Sequence, residues 1–198
     1  MGRPEIPVFK TLEEAKRALE RPVVPIGNFD GVHIGHRAIF DRANAIAEES
    51  TSSGGTRPVA GLTFSPHPVR FFKSDADPFR LMSDEQKFRQ MGLAGLDAVI
   101  ALTFDANIAR REPKAFVESI LKSGLDAHHV VVGSTFRFGK NRAGSTDDLQ
   151  TLCGEFGIGC DVLEEVTHGD EIVSSTRIRE LLADGDLRQA ATLLGHPY

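Results

Sequence analysis

Apolar residues in this chain come in short continuous runs, separated by stretches where they recur every three or four positions. The runs lie at 22–26 (PVVPI), 58–64 (PVAGLTF), 98–102 (AVIAL), 129–132 (HVVV) and 160–166 (CDVLEEV). Such runs, two of them closed by Gly27 and Gly133, read as strands covered on both faces. Between them, Ile34, Ala38, Ile39, Ala43 and Ile46 keep helical spacing, which predicts a helix from just after His33 to near Ser50. Thr11-Leu-Glu-Glu14 is a capping box and starts a short helix running to about Glu20. Further helices are expected over 83–93, over 113–122 with Pro113 at its favoured first position, over 147–156, and from about Thr176 and Leu187. The stretch 51–55 (TSSGG) reads as a loop. Strands that alternate with helices throughout predict an α/β fold with a mostly parallel, doubly wound sheet. In such sheets ligands bind beyond the carboxyl ends of the strands.

Composition narrows the classes. At 198 residues the chain is expected to be one domain, 1–198, with a full hydrophobic core. Its net charge of −5 argues against a general nucleic-acid or anionic-membrane surface, so any phosphate-binding cations must be placed individually. Two cysteines, Cys153 and Cys160, exclude a disulfide scaffold and suit a reducing, cytoplasmic setting. No signal peptide and no membrane-spanning run of apolar residues is expected.

The candidate chemistry gathers at the predicted strand ends. GNFDGVHIGH, Gly27 to His36, places three glycines around a strand-to-helix turn. Glycine lets backbone approach a ligand closely, and a helix N-terminus presents unpaired N–H groups and partial positive charge to a phosphate. His33 and His36, three apart, share a face of the first turn and can steady charge developing in a transition state. A zinc pair is disfavoured, because no third ligand is apparent and H-E-x-x-H is absent. A second strand end carries Phe64, Pro66, His67, Pro68, Phe71 and Phe72, whose rings suit either packing or a flat aromatic ligand. The segment from Gly133 to Asn141 is not a P-loop: five residues separate Gly133 from Gly139, and Asn141 follows Lys140. Arg137, Lys140 and Arg142 read equally as phosphate contacts or as a solvated basic loop. Ser175 and Thr176 can cap the following helix, and the same helix N-terminus, with Arg179 on its first turn, can hold a phosphate chain.

These motifs carry a resemblance. GNFDGVHIGH resembles the HxGH signature of the nucleotidylyltransferase superfamily, and its GxFDGxHxGH form resembles the FMN adenylyltransferase module of prokaryotic FAD synthetases. TFSPHP (63–68) is similar to that family's TFxPHP segment, and VVGSTFRFGKNRAG (131–144) to its VVGxDFRFGxxxxG loop. VSSTRIRELLADGDLRQAATLLGHPY (173–198) resembles its SSTxxR motif and closing helices. Four motifs in order cover nearly the whole chain. The resemblance implies a Rossmann-like nucleotidylyltransferase fold that moves AMP from ATP to FMN, with Mg²⁺ accompanying the ATP, FMN as substrate and FAD as product. It implies an adenylyltransferase without the riboflavin kinase domain that close relatives carry. By the same resemblance His33, His36 and Arg179 are catalytic. ATP is held by Gly27, Phe29, His33, Gly35, His36, Ser175, Thr176 and Arg179, and FMN by Phe64, His67, Phe72, Thr135 and Phe138. Thr135 departs from the family, which usually carries Asp or Asn there beside the metal and phosphates. The rival readings are a related nucleotidylyltransferase with another phosphate acceptor, and a flavin- or nucleotide-binding homologue without turnover.

Overall fold

In a computed structural model, which describes residues 6–50, 55–65 and 80–198, the chain alternates strand and helix as the hydrophobic pattern predicts. The strands are β1 (Val8–Phe9), β2 (Val23–Pro25), β3 (Ala60–Ser65), β4 (Ala98–Thr103), β5 (His129–Gly133) and β6 (Gly159–Leu163). They are followed by a small antiparallel hairpin, β7 (Thr167–His168) and β8 (Glu171–Ile172). The helices are α1 (Leu12–Ala18), α2 (Ile34–Glu49), α3 (Asp84–Leu93), α4 (Ala106–Ala109), α5 (Pro113–Phe116), α6 (Thr146–Glu155), α7 (Ser175–Ala183) and α8 (Leu187–Leu194).

Two parallel ladders, β1-β4-β3 and β2-β5-β6, meet along β2 and β3. The bridges Val23↔Val59 and Ile26↔Leu62 are parallel, and the Gly27 N–H donates to the Leu62 carbonyl at 3.1 Å. The spatial order is therefore β1-β4-β3-β2-β5-β6. From β2 the chain builds outward through β3 and β4, then returns to the other side of β2 for β5 and β6. The point where the order reverses lies between β2 and β5, and a crevice opens there at their carboxyl ends.

Alternate residues along each strand feed opposite faces. Val24, Ile26, Ile100, Leu102, Val130 and Val132 pack with Phe116, Ile120, Leu121, Leu149 and Cys153. Val23, Val99, Ala101 and Val131 pack on the other face with Ile39, Phe40, Ala43, Ile46 and Ala47 of α2 and Met91 of α3. Because both faces are covered, the strands read as unbroken apolar runs. A third cluster joins Ile178, Leu181, Ala190, Leu193 and Leu194 of α7 and α8 to Leu81 and Val173. It seats the last two helices beside the carboxyl end of the sheet.

Several local features depart from the sequence expectation. Strand β1 and helix α4, two and four residues long, carry too little periodicity to be read. The helix expected over 113–122 is α-helical only to Phe116 and continues as a π-helix, Val117–Lys122. There the Ser119 hydroxyl donates to the Ala115 carbonyl, a back-bond that competes with the regular ladder. The strand expected over 160–166 ends at Leu163. The cap of α7 is Ser174, whose Oγ accepts from the Arg177 N–H at 3.1 Å, not Ser175 or Thr176.

Candidate active site

The crevice at the reversal point is a cleft of ≈ 200 Å³. Gly27 and Phe29 enter it from the turn after β2. His33, Gly35 and His36 come from the start of α2, Ser134, Thr135 and Phe136 from the turn after β5, and Glu164, Glu165, Ser174 and Ser175 from the chain after β6. Two helices, α2 and α7, point their N-termini at it. Neither has an acidic residue in its first turn, so the positive ends of both dipoles stay uncompensated for an anion.

His33 is the N-cap of α2, and its Nδ1 accepts the His36 N–H at 3.3 Å. That bond fixes the neutral tautomer with its proton on Nε2. The two imidazoles stack 3.5 Å apart at 19°, and Phe29 stands edge-on to His36 at 5.3 Å and to Phe40 at 4.8 Å. Burial pushes the His33 pKa down to about 4; Asp30 pulls it up and Arg179 down. Burial, then the neighbouring His33 and Lys87, holds His36 well below the ordinary histidine range. At neutral pH the pair therefore offers N–H donors rather than charges. His36 Nδ1 is buried and has no hydrogen-bond partner.

The turn from Gly27 to His33 is tied down from several sides. Leu81 N–H donates to the Asp30 carboxylate at 3.1 and 3.2 Å, and the Arg179 guanidinium meets that carboxylate at 2.5 Å. The Ser175 hydroxyl donates to the Asp30 carbonyl at 2.8 Å, and a His196 ring nitrogen lies 2.9 Å from the Gly31 carbonyl. Gly31 itself sits at φ +89°, where an added Cβ would meet Leu81 at 2.7 Å, so the position needs glycine.

Among the residues predicted for ATP, the structure brings Gly27, Phe29, His33, Gly35, His36 and Ser175 to one cleft. Arg179 stands behind the turn, paired with Asp30, and Thr176 is exposed on the first turn of α7. Of the residues predicted for FMN, Thr135 lines the same cleft. Phe64 and Phe138 do not line it: both belong to the buried core, Phe64 against Phe104 at 5.6 Å and Phe138 against Phe116 at 5.5 Å. His67 and Phe72 lie outside the described residues. The basic residues Arg137, Lys140 and Arg142 are exposed, and Lys140 pairs with Glu112 at 3.2 Å. Sequence reasoning missed Phe136, which lies within the 131–144 motif but was not singled out, and Glu164 and Glu165, which belong to no motif; all three line the cleft. It also missed Lys87, whose burial could not be read from a single position on a helix.

A family model described as FAD synthetase matches residues 15–177 of this chain. The bifunctional riboflavin kinase/FMN adenylyltransferase of Escherichia coli (strain K12) is 36% identical over 176 residues, covering 89% of this chain and 55% of that protein. The protein of the same name from Bacillus subtilis is 34% identical over 188 residues, covering 92% and 56%. The FAD synthetase of Listeria monocytogenes is 35% identical over 178 residues, covering 89% and 69%. The chain thus spans just over half the length of the bifunctional relatives. Among solved structures, a macrolide-efflux protein from Streptococcus pneumoniae superposes with a TM-score of 0.83 at 24% identity, over 97% of this chain and 62% of that one. This last likeness supports the fold alone.

Proposed function

The chain belongs to the FAD synthetase family, and from that premise we propose that it transfers AMP from ATP to FMN, giving FAD and pyrophosphate. The observation that carries this reading is the convergence of two uncompensated helix N-termini and two neutral imidazoles on one cleft. It is a site built for a chain of phosphates. An oxygen of the FMN phosphate attacks the α-phosphorus of ATP in line, and the bond to pyrophosphate breaks as the new bond forms. The substrate phosphate is already a nucleophile, so catalysis is positioning plus charge stabilisation. His33 and His36 donate to phosphate oxygens and steady the developing charge. Gly27 and Phe29 flank the adenosine, while the first N–H groups of α7, those of Ser175 and Thr176 among them, hold the leaving pyrophosphate. Arg179, paired with Asp30, braces the turn from behind. FMN is taken with its phosphate towards Thr135, which lines the cleft, and not by stacking on Phe64 or Phe138, which are buried in the core.

Mg²⁺ enters with the ATP. Among the described residues no three His, Cys, Asp or Glu side chains are grouped to hold a metal. An ion arriving with ATP would be held mainly by phosphate oxygens and water. Of the residues lining the cleft, Thr135, Glu164 and Glu165 would offer it oxygens, and it would supply neutralisation of phosphate charge. The two free cysteines support a cytoplasmic protein, and no helix among the described residues is long and apolar enough to cross a membrane.

The test is incubation with FMN, ATP and Mg²⁺, followed by chromatography for FAD and a parallel pyrophosphate assay. Equal amounts of FAD and pyrophosphate are expected. Calorimetric binding of ATP and FMN without either product would replace the reading with a binding homologue, and Thr135→Asp would then test whether the missing carboxylate is the cause.

A further inference from the structure

The turn that aims His33 is strained. Phe29 and Val32 sit at φ +52° and +41°, in a region that disfavours bulky and β-branched residues. Such a conformation persists only where the surroundings over-determine it. Asp30 and Gly31 are held by Leu81, Arg179, Ser175 and His196, as described above. Asn28, two residues before Asp30, is held by a buried lysine. Lys87 of α3 is 6% exposed. Its ammonium lies 3.5 Å from the Asn28 carbonyl, 3.3 Å from the Thr63 hydroxyl and 3.4 Å from the Asp84 carboxylate. The Thr63 hydroxyl, fully buried, donates to the same Asn28 carbonyl at 3.2 Å.

Burying a lysine is costly, and simple packing at this position would be served by methionine or leucine. The charge instead closes a triangle with Thr63 on the first carbonyl of the strained turn, at the carboxyl ends of β2 and β3. We propose that Lys87 is a positioning residue for adenylyl transfer, locking the Asn28 carbonyl and with it the turn that aims Phe29, His33 and the first N–H groups of α2 at the substrate phosphates. The inference rests on the adenylyl-transfer reading above.

Lys87 also faces the histidines electrostatically. His36 meets His33 from its own helix and Lys87 from α3. His33 meets Asp30 from the turn and Arg179 from α7. Lys87 itself meets Asp84 and Arg80 from its own side, and Asp30. Removing its charge lets His36 take a proton at higher pH, and because burial is the larger cause of the depression, looser packing would act in the same direction; kcat in a fully folded variant therefore carries the test.

The experiment uses the full chain and the variants Lys87→Met, Thr63→Val and the double variant. It measures kcat and KM for ATP and FMN, thermal unfolding, and histidine titration by NMR. Lys87→Met should lower kcat tenfold or more, with KM for ATP within about threefold and the His36 titration moved to higher pH. Because both residues act on one carbonyl, the double variant should be no slower than the slower single variant. A folded Lys87→Met chain with wild-type kcat, or a loss that only matches its unfolded fraction, overturns the proposal. If Lys87→Met does not fold, Thr63→Val decides: a kcat lowered at least threefold supports the proposal, and an unchanged kcat overturns it. If the wild-type chain makes no FAD, the adenylyl-transfer reading fails, while amide chemical shifts of residues 28–33 still decide the positioning role: displacement of the same amides in Lys87→Met and Thr63→Val supports it, and unmoved amides overturn it.

Discussion

His36 lies between the face of His33 and the edge of Phe29, where a neutral ring can donate without first being stripped of water. Its contribution belongs to the transition state, when charge builds on the phosphates. His36→Ala should therefore lower kcat about a hundredfold or more, with a smaller change in KM for ATP, as steady-state kinetics would read. At this scale the sequence was informative where side-chain type and chain position coincide: two histidines three apart behind a strand-end glycine can hardly avoid the cleft. It was uninformative for the aromatics. Phe64, Phe136 and Phe138 carry the same chemistry, yet Phe136 lines the cleft while the other two are core. Phe64 is a residue of β3, and only the facing of the loop after β5, closed by reciprocal Phe138–Gly144 backbone bonds, separates Phe136 from Phe138.

At the scale of elements, α7 does more than present its N-terminus. Through Arg179 it neutralises a carboxylate that is 6% exposed. Arg179→Met would leave Asp30 charged, buried and short of its partner, which should cost about 3 kcal/mol or more, seen as a lower urea midpoint. Asp30→Asn in the same background should recover part of that loss, since it removes the charge left unpaired. The major strands and helices were legible because each is long enough to show its period. The hairpin β7–β8, the strand β1 and the π-helical turn were not, since two residues show no period and a wide turn depends on one hydroxyl's choice of carbonyl. The serine cluster misled by one position: any of Ser174, Ser175 and Thr176 can cap a helix, and the one that does leaves Ser175 to bind the Asp30 carbonyl.

At the scale of the whole molecule, the site is linked to stability through protons. In the unfolded chain His33 takes a proton near 6.5, whereas in the folded chain it does so at about 4. Between those values the unfolded state binds more protons, so stability rises with pH there and is lost on acidification. For this one group the change is up to about 3 kcal/mol. Urea unfolding at pH 7 and pH 5 should show the loss, and His33→Gln should flatten it. The strand order was not legible from hydrophobicity alone, which gives a parallel sheet but not the reversal at β2. That reversal nonetheless decides which of several glycine-closed strand ends share a crevice.

The bonds that close the turn after β2 span most of the chain: Asp30 to Ser175 across 145 residues, Asp30 to Arg179 across 149 and Gly31 to His196 across 165. Synthesis runs from the N-terminus at roughly 5–20 residues per second, so the glycine turn and both histidines leave the ribosome many seconds before their clamps. During that interval the sheet can assemble around β2 while the strained turn remains unbraced. Competence to bind phosphate is therefore acquired late in the life of a nascent chain. Ribosome-bound chains stalled before α7 should carry the histidines yet fail to retain ATP.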